Sequence, residues 1–199
     1  MNTNKMKKEI FLYLLLLTSF SSFAQEKTML TKEETINYIN KKLKECEGHF
    51  RTPDGSAFTG GVAKKMHYTS LSFNADGDRV SLSINSSNYS ERKYTSDYFE
   101  RYTTQQFNPS QILSITEGAS DKSEPLGIII IKFISNSCIS KQNVYWYGSG
   151  GFGNHDGTKT FSVKESGLVF LSADPSNFNK IKKALEHLRD MYKAEDDPF

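Results

Sequence analysis

Leu71-Ser72-Phe73-Asn74-Ala75-Asp76-Gly77-Asp78-Arg79-Val80-Ser81-Leu82-Ser83-Ile84 is the stretch that decides the fold. Val80, Leu82 and Ile84 alternate with Ser81 and Ser83. Successive strand side chains point to opposite faces, so this pattern describes a strand with one wet face and one packed face. Asn74 to Asp78 separates it from the apolar Leu71 and Phe73 and reads as a hairpin turn. The same two-residue period runs from Val62 to Leu171. It predicts further strands over 94–106, 112–117, 126–134, 139–147, 159–163 and 167–171, with loops at 119–125 and 148–158. Ile128 to Ile131 is apolar at every position, which places that strand centrally, covered on both sides.

Outside this region the period changes to that of a helix. Thr31-Lys32-Glu33-Glu34 is a capping box, and Ile36, Ile39, Leu43 and Cys46 follow at helical spacing up to Gly48. A first helix is predicted over about 31–47. Asp174 caps a second over about 175–193, with Pro175 in its first turn and a stripe of Phe178, Ile181, Leu185, Leu188 and Tyr192. The tail from Glu195 to Phe199 lacks the pattern and is expected to fray. The expected fold is α+β: a curved antiparallel sheet or barrel of about seven strands, with an amphipathic helix at each end. An open sheet with both helices on one face is the competing layout.

That order of elements resembles the pleckstrin-homology-like barrel, in which a C-terminal helix plugs one open end of two curved sheets. The resemblance is one of topology and covers about residues 60–192. The basic phosphoinositide-binding loop of such barrels has no counterpart here, Lys64 and Lys65 being the only basic pair near the first hairpin. The chain is also similar to the small exported proteins of Gram-negative bacteria.

The first 24 residues set the expected address. Lys7 and Lys8 precede an apolar block from Ile10 to Leu17, and Ser22 and Ala24 place small side chains before a cut at Gln25. This is the anatomy of a secretory signal peptide. The block is shorter than the roughly 20 apolar residues a membrane-spanning helix needs. Removing 24 of the 199 residues leaves 175, expected to form a single domain over 25–199. The removed segment holds three of the 25 basic and one of the 23 acidic residues, which leaves 22 of each. A neutral mature chain has no electrostatic pull toward nucleic acid or anionic lipid, and no later apolar run reaches membrane-spanning length. The expected location is the periplasm or the cell exterior, and the expected partner an envelope protein or a glycan. In that oxidising compartment Cys46 and Cys138 are open to two readings. A bridge would close a loop of about 90 residues, worth about 4 kcal/mol. Otherwise both are buried free thiols acting as small hydrophobes.

Chemistry-bearing motifs are few. Asn74 to Asp78 looks like a calcium loop until counted: Arg79 takes the sixth position, where glycine is required, and Asn85 the twelfth, where a bidentate Glu is required. Gly148-Ser149-Gly150-Gly151 with His155 and Asp156 echoes the serine loop of a hydrolase. A nucleophilic serine needs a base in hydrogen-bond reach and a third group to orient it, and no strand–elbow–helix pattern surrounds Ser149. His49, His67, His155 and His187 show no metal-ligand spacing. No catalytic residue, metal or cofactor is therefore assigned. Aromatics are the unusual resource. Tyr94, Tyr98 and Tyr102 share strand parity, each about 13 Å from the next, and Tyr145-Trp146-Tyr147 forms a second cluster. Flat rings with polar tips stack on sugars or anchor partners. These six residues are the candidate ligand-binding set of a non-catalytic binding module, the alternative being that they fill the core.

Overall fold

The alternation around Asp76-Gly77 builds a long antiparallel hairpin. The computed structural model describes residues 30–52, 65–92, 95–119, 124–147 and 153–196, with 88–92, 95–99, 146 and 153–156 described in backbone only. The signal-peptide segment and Tyr94, Ser149 and Gly150 lie outside the described residues. From Lys32 on, the order is helix α1 (Lys32–Lys44), β1 (Phe50–Arg51), β2 (Lys65–Asp76), β3 (Arg79–Arg92) and β4 (Thr95–Phe107). A 3-10 turn (Pro109–Gln111) leads to β5 (Ile112–Glu117), β6 (Leu126–Phe133), β7 (Cys138–Tyr147), β8 (Gly153–Val163), β9 (Glu165–Leu171) and helix α2 (Asn177–Asp196).

The fold is α+β, with two helices and nine strands among the described residues. The strands form two antiparallel sheets, one of six in the order β1-β2-β3-β4-β7-β8 and one of three in the order β5-β6-β9. This is roughly consistent with the expected curved antiparallel sheet, although the strands number nine rather than about seven and divide into two sheets. Among the described residues no closed barrel forms, because the chain leaves the large sheet after β4, pairs β5 with β6, and returns to lay β7 beside β4. The isoleucine-rich β6 is indeed a central strand, of the small sheet.

Asp76 pairs with Arg79, so only Gly77 and Asp78 make the turn, and Gly77 takes a φ of +62° that suits it. Another glycine misleads the sequence reading. Residues 153–158 belong to β8, where a loop is expected. Tyr145 pairs with His155 and Asn143 with Thr158, so two β8 residues oppose one β7 residue in a bulge. Gly157 supplies the left-handed conformation there at φ +79°.

The two amphipathic stripes seal the core. Ile36, Ile39, Leu43 and Cys46 are buried from the α1 side, and Ile181, Leu185, Leu188 and Tyr192 from α2, with Phe178 half-buried against Phe170. α1 packs on β2, and α2 on the 3-10 turn, α1, β5, β6 and β9. Phe107 of β4 stacks on Phe133 of β6 at 4.8 Å and on Phe73 of β2 at 6.3 Å, which stitches the sheets together. Lys32 Nζ lies 2.8 Å from Glu195 and 3.5 Å above the Tyr192 ring, tying the start of α1 to the end of α2. α2 begins two residues later than the sequence suggests and runs through Glu195 and Asp196, where fraying is expected. Among the described residues, no helix is long and apolar enough to cross a membrane.

Cys46 and Cys138 are both buried free thiols, so the bridge that the sequence permits is not formed in this structure. Burial pushes Cys46 up to about 12, where Glu45 adds to the effect, and Cys138 up to about 11. Neither thiol carries the thiolate character that reactivity needs.

Candidate ligand-binding groove

Strand alternation sorts the side chains of β4 before any packing is considered. Thr103 and Phe107 are buried, whereas Tyr102 is 39% exposed on the opposite face. Register then carries that outer face across to β7: Tyr98 pairs with Tyr147, Glu100 with Tyr145, and Tyr102 with Asn143. Cross-strand partners lie close enough for their side chains to interact, so two sequence-distant tyrosine clusters become one surface. Glu100, Tyr102, Asn143, Tyr145 and Tyr147 line a groove of about 460 Å³. That volume lies within the roughly 300–1,000 Å³ of small-molecule clefts. The helices lie against β2, β5, β6 and β9, and of the groove residues Tyr102 is exposed while the other four are half-buried.

Its rings are held rather than loose. Tyr102 Oη donates to Glu100 Oε2 at 2.9 Å, and Tyr147 Oη donates to the same oxygen at 3.4 Å. Hydrogen bonds to an ionised carboxylate are stronger than neutral ones. Partial burial and the Glu100 charge push the Tyr147 phenol above its ordinary value, so it stays a neutral donor. The Tyr102 and Tyr145 rings meet edge to face, with centroids 5.7 Å apart at 88°. At the far side Thr158 Oγ1 donates to Asn143 Oδ1 at 2.5 Å, next to the Gly157 bulge. The result is an aromatic floor with a carboxylate and an amide as its polar fittings.

Of the six residues singled out from sequence, Tyr102, Tyr145 and Tyr147 come together here. Tyr98 enters the same register, while its side chain and that of Trp146 are outside the described residues, as is the whole of Tyr94. Two groove residues escape the sequence reading. Glu100 shares parity with Tyr98 and Tyr102, a signal already in the sequence, whereas Asn143 is reached only through the β4–β7 register. His155 and Asp156 sit on β8 in backbone, and Ser149 lies outside the described residues, so the hydrolase constellation gains no geometry. The Asn74 to Asp78 stretch is a hairpin end in which Gln106 Nε2 donates to Asp76 Oδ2 at 2.6 Å. His67 lies against the Phe50 ring at 5.5 Å. Among the described residues, no group of three His, Cys, Asp or Glu is placed to hold a metal ion. Comparison of the chain with protein-family models, curated proteins and solved structures finds no match.

Proposed function

We propose that this chain is an exported, non-catalytic binding module whose groove on β4 and β7 takes a sugar ring of a glycan. The observation that carries the reading is the arrangement of the exposed Tyr102 with Tyr145 and Tyr147 around one carboxylate in a single groove. Flat rings present apolar surface to the axial C–H face of a sugar, and Glu100 and Asn143 supply partners for its hydroxyls. Export, to the periplasm or the cell exterior, is supported by the basic start, short apolar block and small residues of positions 1–24. The likeness to a pleckstrin-homology-like layout is supported by the two antiparallel sheets and the closing helix α2, and it bears on fold alone.

The test is titration of the exported chain with a panel of oligosaccharides, followed by calorimetry and by Trp146 fluorescence. Saturable binding of at least one glycan class is expected. Tyr102→Ala and Tyr145→Ala should each weaken it by about tenfold, equivalent to about 1.4 kcal/mol. Binding that survives both substitutions unchanged would remove the groove from consideration, and no binding across the panel would remove the glycan.

A further inference from the structure

A second cavity, of about 210 Å³, is lined by residues of both sheets. Register lays out its walls. On the large sheet Tyr68 pairs with Ser86 across β2 and β3, and Thr103 pairs with Gln142 across β4 and β7. On the small sheet Ile128 of β6 pairs with Val169 of β9. One sheet thus gives the cavity its neutral polar groups and the other an apolar wall, to which Ile84, the β3 neighbour of Thr103, adds.

Tyr68 is 6% exposed, Ser86 5% and Thr103 8%, and Gln142 is half-buried. Among the described residues, the side chains of these four make no hydrogen bond to another group of the chain. Buried hydroxyls and amides are nearly always hydrogen-bonded, and leaving one unpaired is costly. Four around one small cavity mark a place where a ligand supplies the partners. Burial pushes the Tyr68 phenol above its ordinary value, so it stays a neutral group. Arg51 and Arg101 also line the cavity, but each has partners within the chain, the Ala119 carbonyl at 2.9 Å from Arg51 Nη2 among them. The hydrogen-bonding capacity left open is that of the neutral groups, which both donate and accept. A carboxamide does the same: its two N–H donors and two oxygen lone pairs offer one bond to each of the four. A lone hydroxyl offers fewer, and a carboxylate brings a charge that is costly to bury. Water would leave the Ile84, Ile128 and Val169 wall without an apolar partner. The volume equals about seven waters at ~30 Å³ each, room for a carboxamide on a short hydrocarbon body.

We propose that this inter-sheet cavity binds a small neutral carboxamide, its head meeting Tyr68, Ser86, Thr103 and Gln142 and its carbon body meeting Ile84, Ile128 and Val169. The site is separate from the tyrosine groove and does not depend on it. The full chain is titrated with benzamide and hexanamide by calorimetry. Acetamide serves as the head without a body, toluene as the body without a head, and benzoate as the charged head. One-to-one saturable binding of an amide with a body is expected, about tenfold or more tighter than any control. Tyr68→Phe removes one hydroxyl at nearly constant shape and should weaken binding about fivefold. Thr103→Leu, which fills the cavity, should abolish it while circular dichroism shows a folded chain. The proposal is overturned by acetamide, toluene or benzoate binding as tightly as the amides, or by unchanged affinity in either folded variant. Absence of saturation up to about 10 mM in the unsubstituted chain overturns it equally, and leaves the cavity to water only.

Discussion

Asp174 sets where the last helix begins. Its Oδ1 accepts from the Ser176 amide at 2.9 Å and from the Ser176 hydroxyl at 2.5 Å, and its Oδ2 accepts from Lys180 Nζ at 3.0 Å. Those donors, the Ser176 hydroxyl first and Lys180 next, hold the carboxyl well below the ordinary value of 3.8. A carboxyl depressed in the folded state stabilises fully above its unfolded value, and the contribution fades as pH falls from there toward the folded value. Asp174→Ala should therefore lower the urea midpoint at neutral pH, and the gap to the unsubstituted chain should shrink at about pH 2.5. A gap of equal size at both pH values would show that the ionised carboxylate plays no part. Asp174 is legible in the sequence because Asp-Pro-Ser is a local motif with its own chemistry. Arg101 is legible only in outline: Thr95, Asp97, Phe99 and Arg101 share parity without forming a clean apolar face, and the cavity that Arg101 lines involves residues from the other sheet.

At the scale of elements, α1 both fills the core and protects the edge of β2. Among the described residues, β1 pairs with that edge at Met66 and His67, and Gly48 and His49 just before it bond the Tyr68 backbone. Beyond it, the Phe73 amide donates to Asn40 Oδ1 at 2.6 Å, and Asn40 Nδ2 donates back to the Phe73 carbonyl. The Leu71 amide donates to Glu47 Oε1 at 2.8 Å. Side chains of the helix segment thus take the place of a neighbouring strand, a way of blunting an edge that would otherwise pair with another chain. Asn40→Ala removes two of these hydrogen bonds and should cost about 2 kcal/mol. Urea denaturation reads the loss, and size-exclusion chromatography at rising concentration should show self-association. A variant as stable and monomeric as the original would assign the edge protection elsewhere. The helix itself is plain from the spacing of Ile36, Ile39 and Leu43. What its polar Asn40 does shows only once β2 is laid beside it. The β8 bulge is hidden for the opposite reason: Asp156-Gly157 has turn chemistry, and the left-handed glycine is used inside a strand instead.

For the whole molecule, the joint between the sheets matters most. Phe107 is fully buried and touches Phe73 in its own sheet and Phe133 in the other. Phe107→Ala should cost about 3–5 kcal/mol, as truncation of a buried phenylalanine does. The denaturation slope should stay unchanged if the two sheets unfold together. A loss under about 1 kcal/mol would mean that the joint is held elsewhere. The sequence by itself determined the helical stripes, most of the strand segments, the Gly77 turn and the parity shared by Tyr98, Glu100 and Tyr102. Each of these is a property of neighbours along the chain, written in a period of 2 or 3.6. Only the tertiary structure decided that the strands divide six and three, that Tyr145 and Tyr147 join Tyr102 around Glu100, and that Arg51 and Arg101 share a cavity. Alternation records which side of a strand is buried, never which strand lies beside it. Pairing between segments far apart in sequence is chosen by the packing of the whole core.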